Sequence, residues 1–213
     1  AQPAGDKKGG MPEMSDADKA WMEAGTPGKM HEWIAKSAGT WDCTIKMMMP
    51  GQPVQESKGT MMTKMVFDGR YAHSMFKGTF MGMPFEGAAT MGYNKAAGKF
   101  EGTWMDSMST MTMFTTGTLD DAGKVLTMTG QMVDPMTKNV IKQKIVTTWK
   151  SDNQFVDEMY HETDGKEMKV MEITYNRAKG AAKEKDAMDK LKGDAEKMKK
   201  QGEDAIKQVP NKK

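Results

Sequence analysis

From Gly39 onward, apolar and polar positions alternate with a period of two. Trp41, Cys43, Ile45, Met47 and Met49 share one face of an extended chain, and Thr40, Asp42, Thr44 and Lys46 share the other. This is the pattern of a strand with one buried side, and it predicts a first strand over about Thr40 to Met49. Further β-rich segments follow at about Gln55 to Phe67, Tyr71 to Phe80, Phe85 to Tyr93, Lys99 to Asp106 and Met111 to Leu119. The series closes with Lys124 to Val133, Val140 to Lys150, Gln154 to His161 and Glu167 to Tyr175. Pro50-Gly51-Gln52-Pro53, Asp68-Gly69, Ala97-Gly98, Asp121-Ala122-Gly123, Asp134-Pro135, Ser151-Asp152-Asn153 and Asp164-Gly165 supply the turns between them. Short connections pair each strand with the next, so the segments form an up-and-down meander.

Before Gly39 the period is helical. Ser15 with Asp18 three residues on is an acidic variant of the capping box and predicts a helix ending at Gly25. Thr26 and Pro27 offer an N-cap and a first-turn proline for a second helix, stopped by Gly39. Its Met30, Trp33 and Ile34 form one apolar stripe, suited to covering one end of a barrel. His31 beside that stripe reads as a surface or capping residue. After Arg177 the chain turns to Lys, Glu, Asp and Ala. Met188, Leu191, Ala195, Met198, Gly202, Ala205 and Val209 step by three and four, which predicts a long charged C-terminal helix with a narrow apolar seam. That seam is a candidate for self-association into a homo-oligomer. The organisation expected is therefore a flexible leader over 1–13, a helical segment over 14–38, a barrel over 39–177 and a charged helix over 178–213.

Composition narrows the function classes. The 213 residues suffice for one domain with a core. With 31 basic and 29 acidic residues the net charge is only +2, which gives no reason to expect nucleic acid as a partner. A mean hydropathy of -0.69 and the lack of any apolar run near eighteen residues predict no membrane-spanning helix. The start Ala1-Gln2-Pro3-Ala4 is the kind that removal of a secretory signal leaves, and a periplasmic or secreted location is the expectation. Cys43 is the one cysteine and reads as a small core residue on a strand rather than a nucleophile.

An open meander leaves two exposed edges, and closing it into a barrel removes both. Trp41 at the start of the first strand and Arg177 just after the last are placed to meet on closure, guanidinium on indole, as a structural latch. A Gly-x-Trp opening with a late arginine resembles the calycin superfamily of lipocalins, fatty-acid-binding proteins and their relatives. More specifically, His31-Glu32-Trp33-Ile34, Gly39-Thr40-Trp41-Asp42, the Gly82-Met83-Pro84-Phe85-Glu86-Gly87 string, Thr103-Trp104-Met105-Asp106 and Tyr175-Asn176-Arg177 resemble a bacterial domain-of-unknown-function family with a lipocalin-like barrel. The resemblance implies an antiparallel barrel of about ten strands and a small apolar ligand, and it implies no reaction.

Candidate chemistry is sparse. His31, His73 and His161 lie on separate elements, and no His-x-x-x-His, Cys-x-x-Cys or Gly-x-Ser-x-Gly pattern occurs, so the expectation is that the chain is not an enzyme. Nitrobindin relatives in the same superfamily bind haem through a barrel histidine, and the resemblance makes His161 or His73 its candidate axial ligand. The cofactor is left open. Asp106 and Glu86 read as residues that order turns. The 26 methionines offer soft thioethers suited to Cu(I) but fall on both faces of strands, which reads as adaptable core filling in place of Leu and Ile. The function expected is an exported, non-enzymatic barrel that binds a small apolar or amphipathic molecule, with Met47, Met65, Phe80, Phe85, Tyr93, Trp104, Met111 and Met113 around it. The alternatives are a structural subunit of a cell-surface assembly joined through the terminal helices, and a Met-rich Cu(I)-binding protein.

Overall fold

The computed structural model describes residues 14–163 and 165–179. Two helices, α1 (Asp16–Gly25) and α2 (Lys29–Ala35), precede ten strands. These are β1 (Gly39–Met47), β2 (Gln55–Val66), β3 (Tyr71–Phe80), β4 (Met83–Asn94) and β5 (Lys99–Asp106), then β6 (Met113–Leu119), β7 (Val125–Val133), β8 (Val140–Ser151), β9 (Gln154–Thr163) and β10 (Lys166–Arg177). All neighbours run antiparallel, each strand pairs with the next, and β1 pairs with β10 to close the barrel. The predicted meander and its closure are both present. The predicted C-terminal helix and its seam lie outside the described residues. Among the described residues no helix is long and apolar enough to cross a membrane.

The helix starts follow local hydrogen bonding. Ser15 Oγ accepts from the Asp18 amide at 3.1 Å and the Asp18 carboxylate accepts from the Ser15 amide at 3.3 Å, so the acidic capping box forms. The second helix begins later than its sequence predicts. Thr26 spends its hydroxyl on the Met22 carbonyl (2.7 Å) and terminates α1, leaving Gly28 as the N-cap of α2. The Gly28 amide donates to His31 Nδ1 at 3.1 Å, and His31 is a buried capping residue.

Both ends of the barrel have connections, but among the described residues only one has a cover. The turns at 67–70, 95–98, 120–124 and 152–153 lie at the end where α2 packs. There Trp33 Nε1 donates to the Gly123 carbonyl at 2.9 Å, while Arg70 Nε and Lys95 Nζ hold α1 through the Gly25 and Glu23 carbonyls. Trp33, Ile34, Ala72, Phe100, Leu126 and Met128 form the core of this end, and the predicted covering role of the apolar stripe is met. Arg177 completes the seal. Its guanidinium lies 4.1 Å from the Trp41 ring centroid and donates to the carbonyls of Ala38 (2.9 Å), Lys36 (3.1 Å) and Asp152 (3.0 Å). Gly39 has φ +122°, and a Cβ there would stand 2.8 Å from Arg177 Nη1, so only glycine admits this approach.

At the other end, β3 and β4 are joined by Met81 and Gly82, both at positive φ (51° and 79°), the backbone of a tight primed hairpin turn. Gly82 is what that turn requires, which gives a physical reason for the glycine that opens the Gly-Met-Pro-Phe-Glu-Gly string.

Candidate functional site

Alternation along ten closed strands sends every second side chain inward, and here the inward set does not fill the space. A cavity of about 500 Å³ runs through the barrel from the covered end to the open one. Its volume lies in the range of small-molecule sites, about 300–1,000 Å³.

One side of the cavity is aromatic and aliphatic. Phe76, Phe80 and Phe85 pack in series with centroids 5.7–5.9 Å apart, and Phe85 stacks on Trp104 at 6.4 Å. Trp104 sits where it does because Gly87 on the neighbouring strand has no side chain. A Cβ at Gly87 would lie 2.3 Å from the indole. Trp104 Nε1 donates to Asp106 Oδ2 (3.0 Å), and the other carboxylate oxygen accepts from the Met108 amide (3.0 Å). Ser107 exchanges hydrogen bonds with the Glu86 backbone. Asp106 thereby fixes the rim and Glu86, paired with Lys77 at 2.9 Å, lies outside it.

The other side, from β8, β9 and β10, carries Gln143, Asp157, His161 and Tyr175, while serine and threonine hydroxyls are spread around the whole wall. Paired across β8 and β9 are Trp149 with Phe155, Thr147 with Asp157, Ile145 with Met159 and Gln143 with His161. Thr147 donates its hydroxyl to Asp157 Oδ1 at 2.6 Å, and the Tyr175 hydroxyl also donates to this carboxylate. Burial pushes the Asp157 carboxyl up to about 6, against the lowering effect of the two hydroxyl donors. Asp157 keeps part of its surface only because the cavity passes it; the group lies deep between β8 and β10. Burial, with the Asp157 charge beside it, raises the Tyr175 phenol. Cys43, two strands away, is pushed up to about 12 by burial, so its thiol stays protonated and inert. Burial also lowers the His161 pKa, keeping the ring neutral near pH 7. Trp149 Nε1 is buried with no hydrogen-bond partner among the described residues, a donor left orphaned beside the cavity floor. No lysine or arginine is among the described residues that line the cavity.

Of the side chains that the sequence singles out for the ligand, Phe80, Phe85, Trp104, Met111 and Met113 line the cavity. Met47, Met65 and Tyr93 are not among the residues that line it. Met65 and Tyr93 face inward but pack against the core under α2, and Tyr93 meets Phe100 and His31 edge-on. Met47 is the last residue of β1, opposite Met171 and Gln55. His161 lines the cavity, whereas His73 is exposed and bonds Thr90 Oγ1 at 3.2 Å. Asp157, Trp149, Gln143 and Tyr175 are the additions that sequence reasoning missed, although Asp157 shares inward parity with Phe155, Met159 and His161.

The methionines are unevenly placed along the barrel axis. The open-end connections carry Met48 and Met49, Met81, Met108 and Met111, and Met136, with Met83 and Met168 at adjoining strand ends. The turns of the covered end carry none. Met81, Met83, Met108, Met136 and Met168 are exposed. Among the described residues no group of three or more His, Cys, Asp or Glu is placed to hold a metal ion. A second depression, on the outer face over β7 to β10, is lined by Lys142, Lys144, Glu162 and Glu167. Its lysines already pair with its glutamates, at 2.9 and 2.6 Å.

A model of the family described as "Protein of unknown function (DUF1579)" matches residues 26–177. No curated protein matches the chain. Among solved structures, Rv2717c from M. tuberculosis is 11% identical, with a TM-score of 0.53 over 72% of this chain and 99% of that one. The S-type phycobiliprotein lyase CPES from Guillardia theta is 12% identical, with a TM-score of 0.49 over 71% of this chain and 93% of that one. Likeness at such identity is likeness of fold. The expectation of a non-enzymatic chain does not stand, because the lack of a catalytic sequence motif is no ground for excluding an enzyme.

Proposed function

We propose that this chain, which belongs to the DUF1579 family, takes a small, largely apolar molecule into its barrel through the uncovered end. The observation that carries this reading is the cavity of about 500 Å³, walled by Phe76, Phe80, Phe85 and Trp104 and left unfilled by a chain rich in methionine. Flexible thioether side chains could have closed that space by rotamer changes. Burying an apolar guest there yields about 25 cal/mol per Å² of its surface, less the cost of association.

Titration with N-phenyl-1-naphthylamine, a neutral dye that brightens in apolar surroundings, tests the reading. Saturable brightening at one dye per chain is expected. Ala89 lies on the cavity wall among larger neighbours, and Ala89→Trp, which fills the space, is expected to abolish the signal while the thermal transition remains cooperative. Equal brightening in the filled variant would place the dye elsewhere and remove the support for a barrel site.

A further inference from the structure

Neutral serine and threonine hydroxyls are spread around the cavity wall, and its two carboxylates, Asp106 and Asp157, have no basic partner among the described residues that line it. Asp157 is held by Thr147 and Tyr175, both neutral hydroxyl donors, and neither lysine nor arginine lines the space among the described residues. Asp106, the other acidic group on the wall, stands at the rim and is occupied by the Trp104 indole and the Met108 amide. Asp157 lies deeper, next to a cluster of aromatic faces. Phe155 stacks on Tyr175 at 4.2 Å and packs against Trp149 at 4.9 Å.

A carboxylate in such surroundings has a missing counter-charge. Desolvated carboxylates are costly unless paired, and two hydroxyls supply hydrogen bonds but no charge. The groups around Asp157 do not supply it either. From β10 it faces Ile173 and Tyr175, from β8 Thr147, from β1 the protonated Cys43 thiol; His161, further along β9, is kept neutral by burial. An anionic ligand head would meet the same carboxylate with no cation to hold it.

We infer that the ligand is an amphipathic amine, bound with its cationic end inward against Asp157 and its apolar body along the Phe76, Phe85 and Trp104 wall. On the wall opposite, Asp106 satisfies the Trp104 indole, and the remaining polar side chains are neutral serine and threonine hydroxyls. The inference rests on the barrel cavity being a binding site.

Calorimetric titration of the full chain with n-decylammonium, 1-decanol and decanoate at pH 7.5 separates the two claims, because the three probes share one apolar chain. The expected order is amine, then alcohol by about tenfold or more, with decanoate weakest. Asp157→Asn is expected to weaken the amine by about tenfold more than it weakens the alcohol. Lowering the pH to 5, where Asp157 takes up a proton, is expected to weaken the amine alone and gives the same test without a substitution. Alcohol binding as tightly as amine, decanoate binding tightest, or an amine preference that survives both Asp157→Asn and pH 5 would overturn the cationic assignment while the cavity reading stands. If none of the three probes binds, the cavity reading falls and this inference falls with it.

Discussion

The Asp157 carboxyl titrates where an exposed aspartate does not, and the sign of its effect on stability follows from that. Its folded pKa is about 6, against about 3.9 in an unfolded chain. Between these values the folded chain holds the proton more firmly than the unfolded one. The stabilising contribution is therefore complete below about pH 4 and is lost as pH rises to about 6. Above pH 6 the ionised group opposes folding unless a cation joins it. Asp157→Asn is expected to flatten the fall in stability between pH 4 and pH 7 and to raise stability at pH 8 by about 1–2 kcal/mol, as urea unfolding at each pH would measure. Lower stability of the variant at pH 8 would mean that the two hydroxyl donors outweigh the burial. Parity of inward positions was legible in the sequence, and it turns Phe80, Phe85, Trp104 and Met113 toward the cavity. Depth was not legible. Met65 and Tyr93 have the right parity but sit under α2, and Met47 sits at a strand end, because a period of two says which way a side chain points and nothing about the height at which it stands.

At the scale of elements, the chain's turn chemistry carries most of the topology. Asp68-Gly69, Ala97-Gly98 and Asp121-Ala122-Gly123 each fall in a connection between adjacent strands, which is why the strand count and order could be read before any contact was known. The start of α2 could not, because Thr26 had two helices to serve and its hydroxyl went to the first. Arg177 is the element-scale hinge of stability. It joins the end of β10 to the C-terminal carbonyls after α2, to the β8–β9 turn and to the Trp41 ring. Arg177→Ala removes charge-assisted hydrogen bonds and a cation–π contact together and leaves carbonyls without donors. The expected loss is about 2–4 kcal/mol. Chemical denaturation would measure it, and a change under about 0.5 kcal/mol, typical of surface sites, would show that pairing of β1 with β10 closes the barrel unaided. Arg177→Lys should recover little, since a single ammonium cannot reach carbonyls on three sides.

At the scale of the molecule, the barrel has two unlike ends, one sealed by α2, Trp41 and Arg177 and one ringed with exposed methionine. Thioethers are oxidised to sulfoxides by peroxides, and the product is polar where the parent was apolar. The sealed end offers such a reagent no methionine on its turns, while Met81, Met83, Met108, Met136 and Met168 lie in the open. Mild hydrogen peroxide is thus expected to modify the entrance and spare the core, with peptide mass spectrometry finding sulfoxide early at these five positions, as at the exposed Met22, Met62, Met75 and Met105 elsewhere, and the thermal transition little changed. Dye uptake should fall in step with their oxidation, and sulfoxide appearing equally at the buried Met113 and Met128 would contradict the asymmetry. On the proposed route of entry, the methionine ring would make passage into the barrel depend on the oxidation state of its own doorway.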